Sequence, residues 1–181
     1  MTLFNNLRSI FSSKIPCSND KILFYRSVKI KIYADRLIKT WDEIKNNDNP
    51  DLSELSKTLD DILSDIGYII GLVGGKWIKN NIDSQHFDTY YLQTDKLSID
   101  GKTIINDLYN TTLFIKAIVN RNISGDISYE QFSLELVTLQ KFSKQLHCRI
   151  IRSPFFKQCS KGKYSSDCDN IEFNIGNNMY I

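Results

Sequence analysis

The sequence predicts an all-α protein: a four-helix-type bundle with a long crossover between helices two and three and an extended C-terminal tail. Three observations lead there. Apolar residues recur at spacings of three and four over four long segments. The polar turns joining the first two and the last two segments are short, which suits antiparallel neighbours. Only 8 Gly and 3 Pro occur in 181 residues, too few for a turn-dense β fold. The chain divides into an N-terminal amphipathic segment (1–20), the bundle (21–153) and the tail (154–181).

Residues 2–14 place Leu3, Phe4, Leu7, Ile10 and Phe11 on one stripe, with Arg8 and Lys14 outside it. Such a segment suits packing on the bundle or weak contact with a membrane surface. Ile15-Pro16 ends it. In 21–46, Val28, Ile30 and Ile32 alternate like a strand, but Ile30, Tyr33, Ala34, Leu37, Ile38, Trp41 and Ile44 fit a helix over more length. Asn46–Pro50 is a turn, with Asn49 as N-cap and Pro50 as the first helical residue. Residues 50–80 carry the clearest stripe: Leu52, Leu55, Leu59, Ile62, Leu63, Ile66, Ile69, Ile70, Val73 and Trp77. Gly74-Gly75 can bend that helix or end it early.

Residues 81–102 are the least periodic and read as a short helix or a strand laid over the bundle. Residues 103–120 place Ile104, Ile105, Leu108, Leu113 (or Tyr109), Phe114, Ala117 and Ile118 on a helical face. Residues 128–147 do the same with Phe132, Leu134 (or Glu135), Leu136, Leu139, Phe142 and Leu146, and Ser128 with Gln131 fits a capping box. In the tail, Ile171, Phe173 and Ile175 alternate with Glu172 and Asn174, a strand pattern.

Composition narrows the classes. The 41% apolar and 24% charged residues fit a globular protein and exclude wholesale disorder. The longest apolar run, Ile66–Gly75, is too short to span a bilayer. The first residues lack a basic n-region followed by an apolar h-region, so no secretory signal is expected. Cys17, Cys148, Cys159 and Cys168 form no C-x-x-C pair and read as reduced thiols, hence a cytoplasmic protein. Twenty-five Ile and 16 Asn against two Ala suggest an AT-rich genome.

The formal net charge of +2 conceals segments of opposite sign. Residues 1–46 hold nine Lys/Arg and four Asp/Glu, whereas 47–72 hold one and six. An antiparallel helix pair would set these against each other. Residues 141–163 hold seven basic residues and no acid, with Phe142, Phe155 and Phe156 interleaved. Lys141, Lys144, Arg149, Arg152, Lys157, Lys161 and Lys163 therefore form a candidate surface for a nucleic-acid backbone. Asp61 and Asp65 share a helix face, read as a solvated acidic surface beside Lys57.

Asn120–Gln131 resembles an EF-hand loop: Asn120, Asn122 and Ser124 fill the first three oxygen positions and Gly125 the sharp turn. The loop departs from the pattern at both ends, with Asn120 for Asp and Gln131 for Glu. Arg121-Asn122 resembles the Arg–polar pair of the HEPN helical-bundle ribonucleases, but the later His is replaced by Asp126, Ile127 or Ser128. Neither resemblance keeps the residues that would carry its chemistry. His147, Cys148, Cys159 and Cys168 are too widely spaced for a structural zinc set. Gly67, Gly71 and Gly75 line one helix face and predict close approach of another helix, within the bundle or across a homodimer.

These observations make the expected function non-enzymatic: a protein-interaction module such as an inhibitor, immunity protein, adaptor or accessory factor. No cofactor or metal is expected. The candidate contact residues are the aromatic crossover (His86, Phe87, Tyr90, Tyr91) and the basic run. The alternatives are a nucleic-acid-associated protein, a helical-bundle hydrolase or nuclease, and a calcium-responsive module.

Overall fold

The computed structural model describes Phe11 and residues 19–80, 88–121 and 127–153. Four helices dominate: α1 (Asp20–Ile44), α2 (Ser53–Leu72), α3 (Ile99–Asn120) and α4 (Tyr129–Arg152). A hairpin of β1 (Lys76–Lys79) and β2 (Tyr90–Gln93) separates α2 from α3. The all-α bundle expected from the sequence is what forms. No helix among the described residues is long and apolar enough to cross a membrane.

Each helix packs mainly on two others, α1 and α3 both lying between α2 and α4. Cross-helix contacts fix the directions. Arg36 meets Glu54 and Arg26 meets Asp65, so α1 and α2 are antiparallel. Ser27 meets His147 and Trp41 meets Ser133, so α1 and α4 are too. Lys116 reaches back to Asp60, and Arg149 lies 3.7 Å from Asp100. The long connection had left the direction of α3 open, and these pairs settle it as up-down-up-down.

The core follows the helical stripes. Leu23, Ile30 and Leu37 of α1 meet Leu59, Ile62 and Ile66 of α2, Leu108 and Ile115 of α3, and Phe132 and Leu139 of α4. Ile32 is 56% exposed, which rules out the strand alternative for this segment. Trp41 is buried with its ring edge-on to Phe132, and its Nε1–H donates to Ser133 Oγ at 2.8 Å. The large ring is thus buried without orphaning its donor.

Local chemistry explains the ends. Ser98 and Ser128 cap α3 and α4, each hydroxyl accepting the N–H three residues on at 3.1 Å. Asn49 and Pro50 do not start α2. Asp51 Oδ1 accepts Ser53 N–H at 2.9 Å and moves the start to Ser53. Gly74 has φ +58° and Gly75 N–H donates to Ile70 O at 2.9 Å, a Schellman stop. The stripe through Trp77 is therefore cut. Trp77 lies on β1 and stacks on Tyr109 at a centroid distance of 3.9 Å. α4 runs to Arg152, where Pro154 forces Ser153 into an extended conformation.

The hairpin is fastened edge-on to α3. Asn110 accepts Tyr90 N–H at 2.8 Å and donates to Tyr90 O at 2.7 Å, while Asn106 accepts Leu92 N–H at 2.8 Å. Two side chains one helical turn apart act as a third strand for β2. Phe11 bridges Leu97 and is 7% exposed, so that member of the N-terminal stripe lies in the core and is not offered to a membrane. Leu3, Phe4, Leu7 and Ile10 lie outside the described residues.

Cys148 is 3% exposed and disulfide-bonded, which corrects the expectation of a reduced thiol. The other three cysteines lie outside the described residues. Within the chain the glycine stripe is not a helix contact: a Cβ on Gly67 or Gly71 would meet nothing within 4 Å among the described residues. A Cβ on Gly75 would fall 2.7 Å from Leu92 Cδ1 and 2.9 Å from Ile70 Cγ2, both buried side chains. Gly67→Ala should raise stability by about 0.5–1 kcal/mol. Gly75→Ala should lower it by about 1–3 kcal/mol through overpacking. Urea denaturation of the two variants checks the opposite signs.

Candidate interaction face and its buried carboxylate

The seam between α1 and α2 carries the main buried charge. Asp65 projects from α2 and is 1% exposed. A carboxylate this deep needs a partner. Arg26 Nη1 donates to its Oδ1, and Lys29 Nζ lies 3.6 Å from Oδ2. Arg26 and Lys29 are three residues apart on α1, so both face the same turn of α2. The hydrogen bond it donates to Asp65 holds the Arg26 guanidinium further above its ordinary pKa. Lys29 is raised first by the Tyr33 hydroxyl and then, against desolvation, by the charge of Asp65. Asp65 Oδ2 and Arg26 Nε make no hydrogen bond.

The two cations also organise aromatic rings. The Arg26 guanidinium lies 3.7 Å over the Tyr68 ring and 6.0 Å from Tyr25. Lys29 Nζ lies 5.6 Å from Tyr25 and 5.3 Å from Tyr33. Tyr25 and Tyr68 remain 57% and 55% exposed. Ile22 and Ile32, also exposed, continue the ridge of Tyr25 and Lys29 at spacings of three and four along α1. The result is an apolar and aromatic surface pinned by cations, with a carboxylate beneath it.

On the opposite seam, Ser27 is fully buried. Its hydroxyl donates to Phe24 O at 2.8 Å and stands 2.9 Å from His147 Nδ1. With its proton engaged, Ser27 Oγ accepts from Nδ1–H, which suits a neutral imidazole. Burial, and then the nearby Lys31, lower the His147 pKa to about 4. A Ser–His pair suggests a nucleophile and its base, but Ser27 has 0% exposure and its proton is held by its own helix. No carboxylate hydrogen-bonds to His147 among the described residues. The pair is an interhelical lock.

The residues singled out from the sequence are dispersed. His86 and Phe87 lie outside the described residues. Tyr90 packs edge-on against Tyr109, and Tyr91 is 48% exposed on the outer face of the hairpin. In the basic run, Lys141 is exposed, while Lys144 and Arg149 lie 4.0 Å and 3.7 Å from Asp35 and Asp100. Arg152 is half-buried, and Lys157, Lys161 and Lys163 lie outside the described residues. The run thus has acidic neighbours that its sequence lacks. Of the calcium loop, Asn120 lines a shallow cavity of about 400 Å³ with Pro50 and Ser53. Gln131 lies in the first turn of α4, its N–H donating to Ser128, and Asn122 and Ser124 lie outside the described residues. No cluster of three or more His, Cys, Asp or Glu side chains among the described residues has the geometry to hold a metal.

Sequence reasoning placed Asp65 on a solvated face and did not single out Tyr25 or Tyr68. A signal for both was present: aromatic residues on the polar sides of two helices of opposite charge. No family model matches the chain, and no curated protein or solved structure matches it either.

The His147 lock makes a pH prediction. The folded-state pKa of about 4 lies below the ordinary 6.5, so the unfolded chain binds the proton more readily between those values. Stability contributed by neutral His147 is present above pH 6.5 and falls as pH drops towards 4. Relative to His147→Gln, the wild type should lose about 1–2 kcal/mol more between pH 7.5 and 4.5, a figure reduced for partial solvent access. Urea midpoints at the two pH values measure it.

Proposed function

We propose that this protein is a non-enzymatic helical bundle that acts by binding a protein partner through the α1–α2 face. The observation that carries the reading is the ring–cation cluster of Tyr25, Arg26, Lys29 and Tyr68. Tyr and Arg dominate the energetic centres of protein interfaces. Here the tyrosines are exposed but already oriented, so docking costs less side-chain entropy. The flanking Ile22 and Ile32 extend the apolar area. Arg26 and Lys29 exceed the single buried charge they neutralise, which favours a partner surface carrying carboxylates.

Inhibitor, immunity, adaptor or accessory roles all use such a face. The Cys148 disulfide favours an oxidising compartment over the cytoplasm expected from reduced thiols.

The test is affinity capture from the native host with the wild type and with a Tyr25→Ala/Tyr68→Ala variant. Both rings are more than half exposed, so the variant should melt within a few degrees of the wild type. A partner held by the wild type should bind the variant at least about tenfold more weakly, the loss of one hot-spot side chain. Equal binding would place the interface elsewhere.

A further inference from the structure

We propose that the outer stripe of α4, made of Glu130, Leu134, Val137 and Lys141, pairs antiparallel with the same stripe of a second copy of this chain. α4 is diagonal to α2 in the bundle, so the inference is independent of the α1–α2 face.

The core side of α4 is Phe132, Leu136, Leu139 and Ser143, all buried. Half a turn away, Glu130, Leu134, Val137 and Lys141 are exposed at successive spacings of four, three and four. Side chains at these intervals stack along one line of a helix, as they do in a helix–helix seam. Leu134 is 63% exposed and Val137 49%. Two adjoining apolar side chains on an otherwise polar face gain from being covered.

The charges at the two ends of the stripe say what covers it. Among the described residues, α4 forms ion pairs through Lys144 and Arg149, with Asp35 and Asp100, whereas Glu130 and Lys141 form none. Those two stand eleven positions, roughly 16 Å, apart along the helix and cannot reach each other. The acid precedes the apolar step and the base follows it. Turned end for end, the stripe reads base, apolar, apolar, acid. A two-fold axis over the point midway between Glu135 and Leu136 therefore lays Leu134 on the second copy's Val137. The same axis sets Glu130 beside the second copy's Lys141, and symmetry repeats both contacts. The two pairs share one midpoint, as an isologous contact requires. A parallel pairing would instead oppose Glu130 to Glu130 and Lys141 to Lys141.

The contact is small. Four side chains on each helix bury less than the roughly 1,200 Å² at which stable interfaces begin. The dimer is therefore reversible and forms at high protein concentration. Its exposed ion pairs supply orientation more than strength.

Sedimentation equilibrium of the full chain at low ionic strength, from micromolar to millimolar concentration, tests this. The wild-type mass should rise reversibly towards that of two chains. Glu130→Lys and Lys141→Glu each turn two attractive contacts into two repulsive ones and should weaken association about tenfold. Mixing these two variants should restore it, because both contacts then again set a base against an acid. Both side chains are exposed, so each variant should fold as the wild type does. A wild type that stays a single chain up to millimolar concentration would overturn the proposal and leave the stripe to another partner or to water. So would a dimer that the substitutions leave unchanged, or a mixture that associates no better than either variant alone.

Discussion

The need to neutralise Asp65 organises this bundle. A carboxylate at 1% exposure between two helices is tolerated only with cations on it. Arg26 and Lys29 supply them from one turn of α1. A slip of α1 along α2 by one turn would leave the charge unmatched, so the pair sets register as well as contact. The next residue, Ser27, sets the other register by meeting His147 of α4. Adjacent residues of α1 thus key it to both neighbours at the same height. Trp41 and Ser133 repeat the arrangement at the far end.

The same cations shape the surface. Held by Asp65, Arg26 cannot swing freely into solvent, and Tyr68 lies against its guanidinium face. Tyr25 shares both cations. Buried electrostatics and exposed aromatics therefore form one unit, with the first positioning the second. A surface of loose tyrosines would have to be ordered by its partner. This one is ordered by the fold, which is the physical basis for reading it as an interface.

Periodicity made the four helices legible, because each buries a stripe at helical spacing. It failed where burial was not apolar. Thr112 and Ser143 are fully buried, with hydroxyls donating to Leu108 O and Gln140 O of their own helices. Such positions interrupt an apolar stripe, and Ile115, also fully buried, was missed from the α3 face for that reason. Trp77 continued the α2 spacing numerically, but Gly74 ended the helix before it. Asp65 looked solvated because its partners lie 39 and 36 positions away, beyond any local pattern. Segmental charge did foreshadow the seam, since a basic first helix and an acidic second helix are what an antiparallel pair would bring together. It could not show that one acid was buried while Glu54 and Asp60 stayed exposed.

The coupling between Asp65 and Arg26 tests this account most directly. A double-mutant cycle with Asp65→Ala, Arg26→Ala and the combined variant, followed by urea denaturation, isolates the pair from the other roles of each side chain. A buried pair that sets register should give a favourable coupling of about 1.5–3 kcal/mol, with the double variant more stable than Arg26→Ala alone because no carboxylate is left orphaned. A coupling near zero, or an Arg26→Ala variant as stable as the wild type, would contradict the claim that this carboxylate organises the bundle and the face above it.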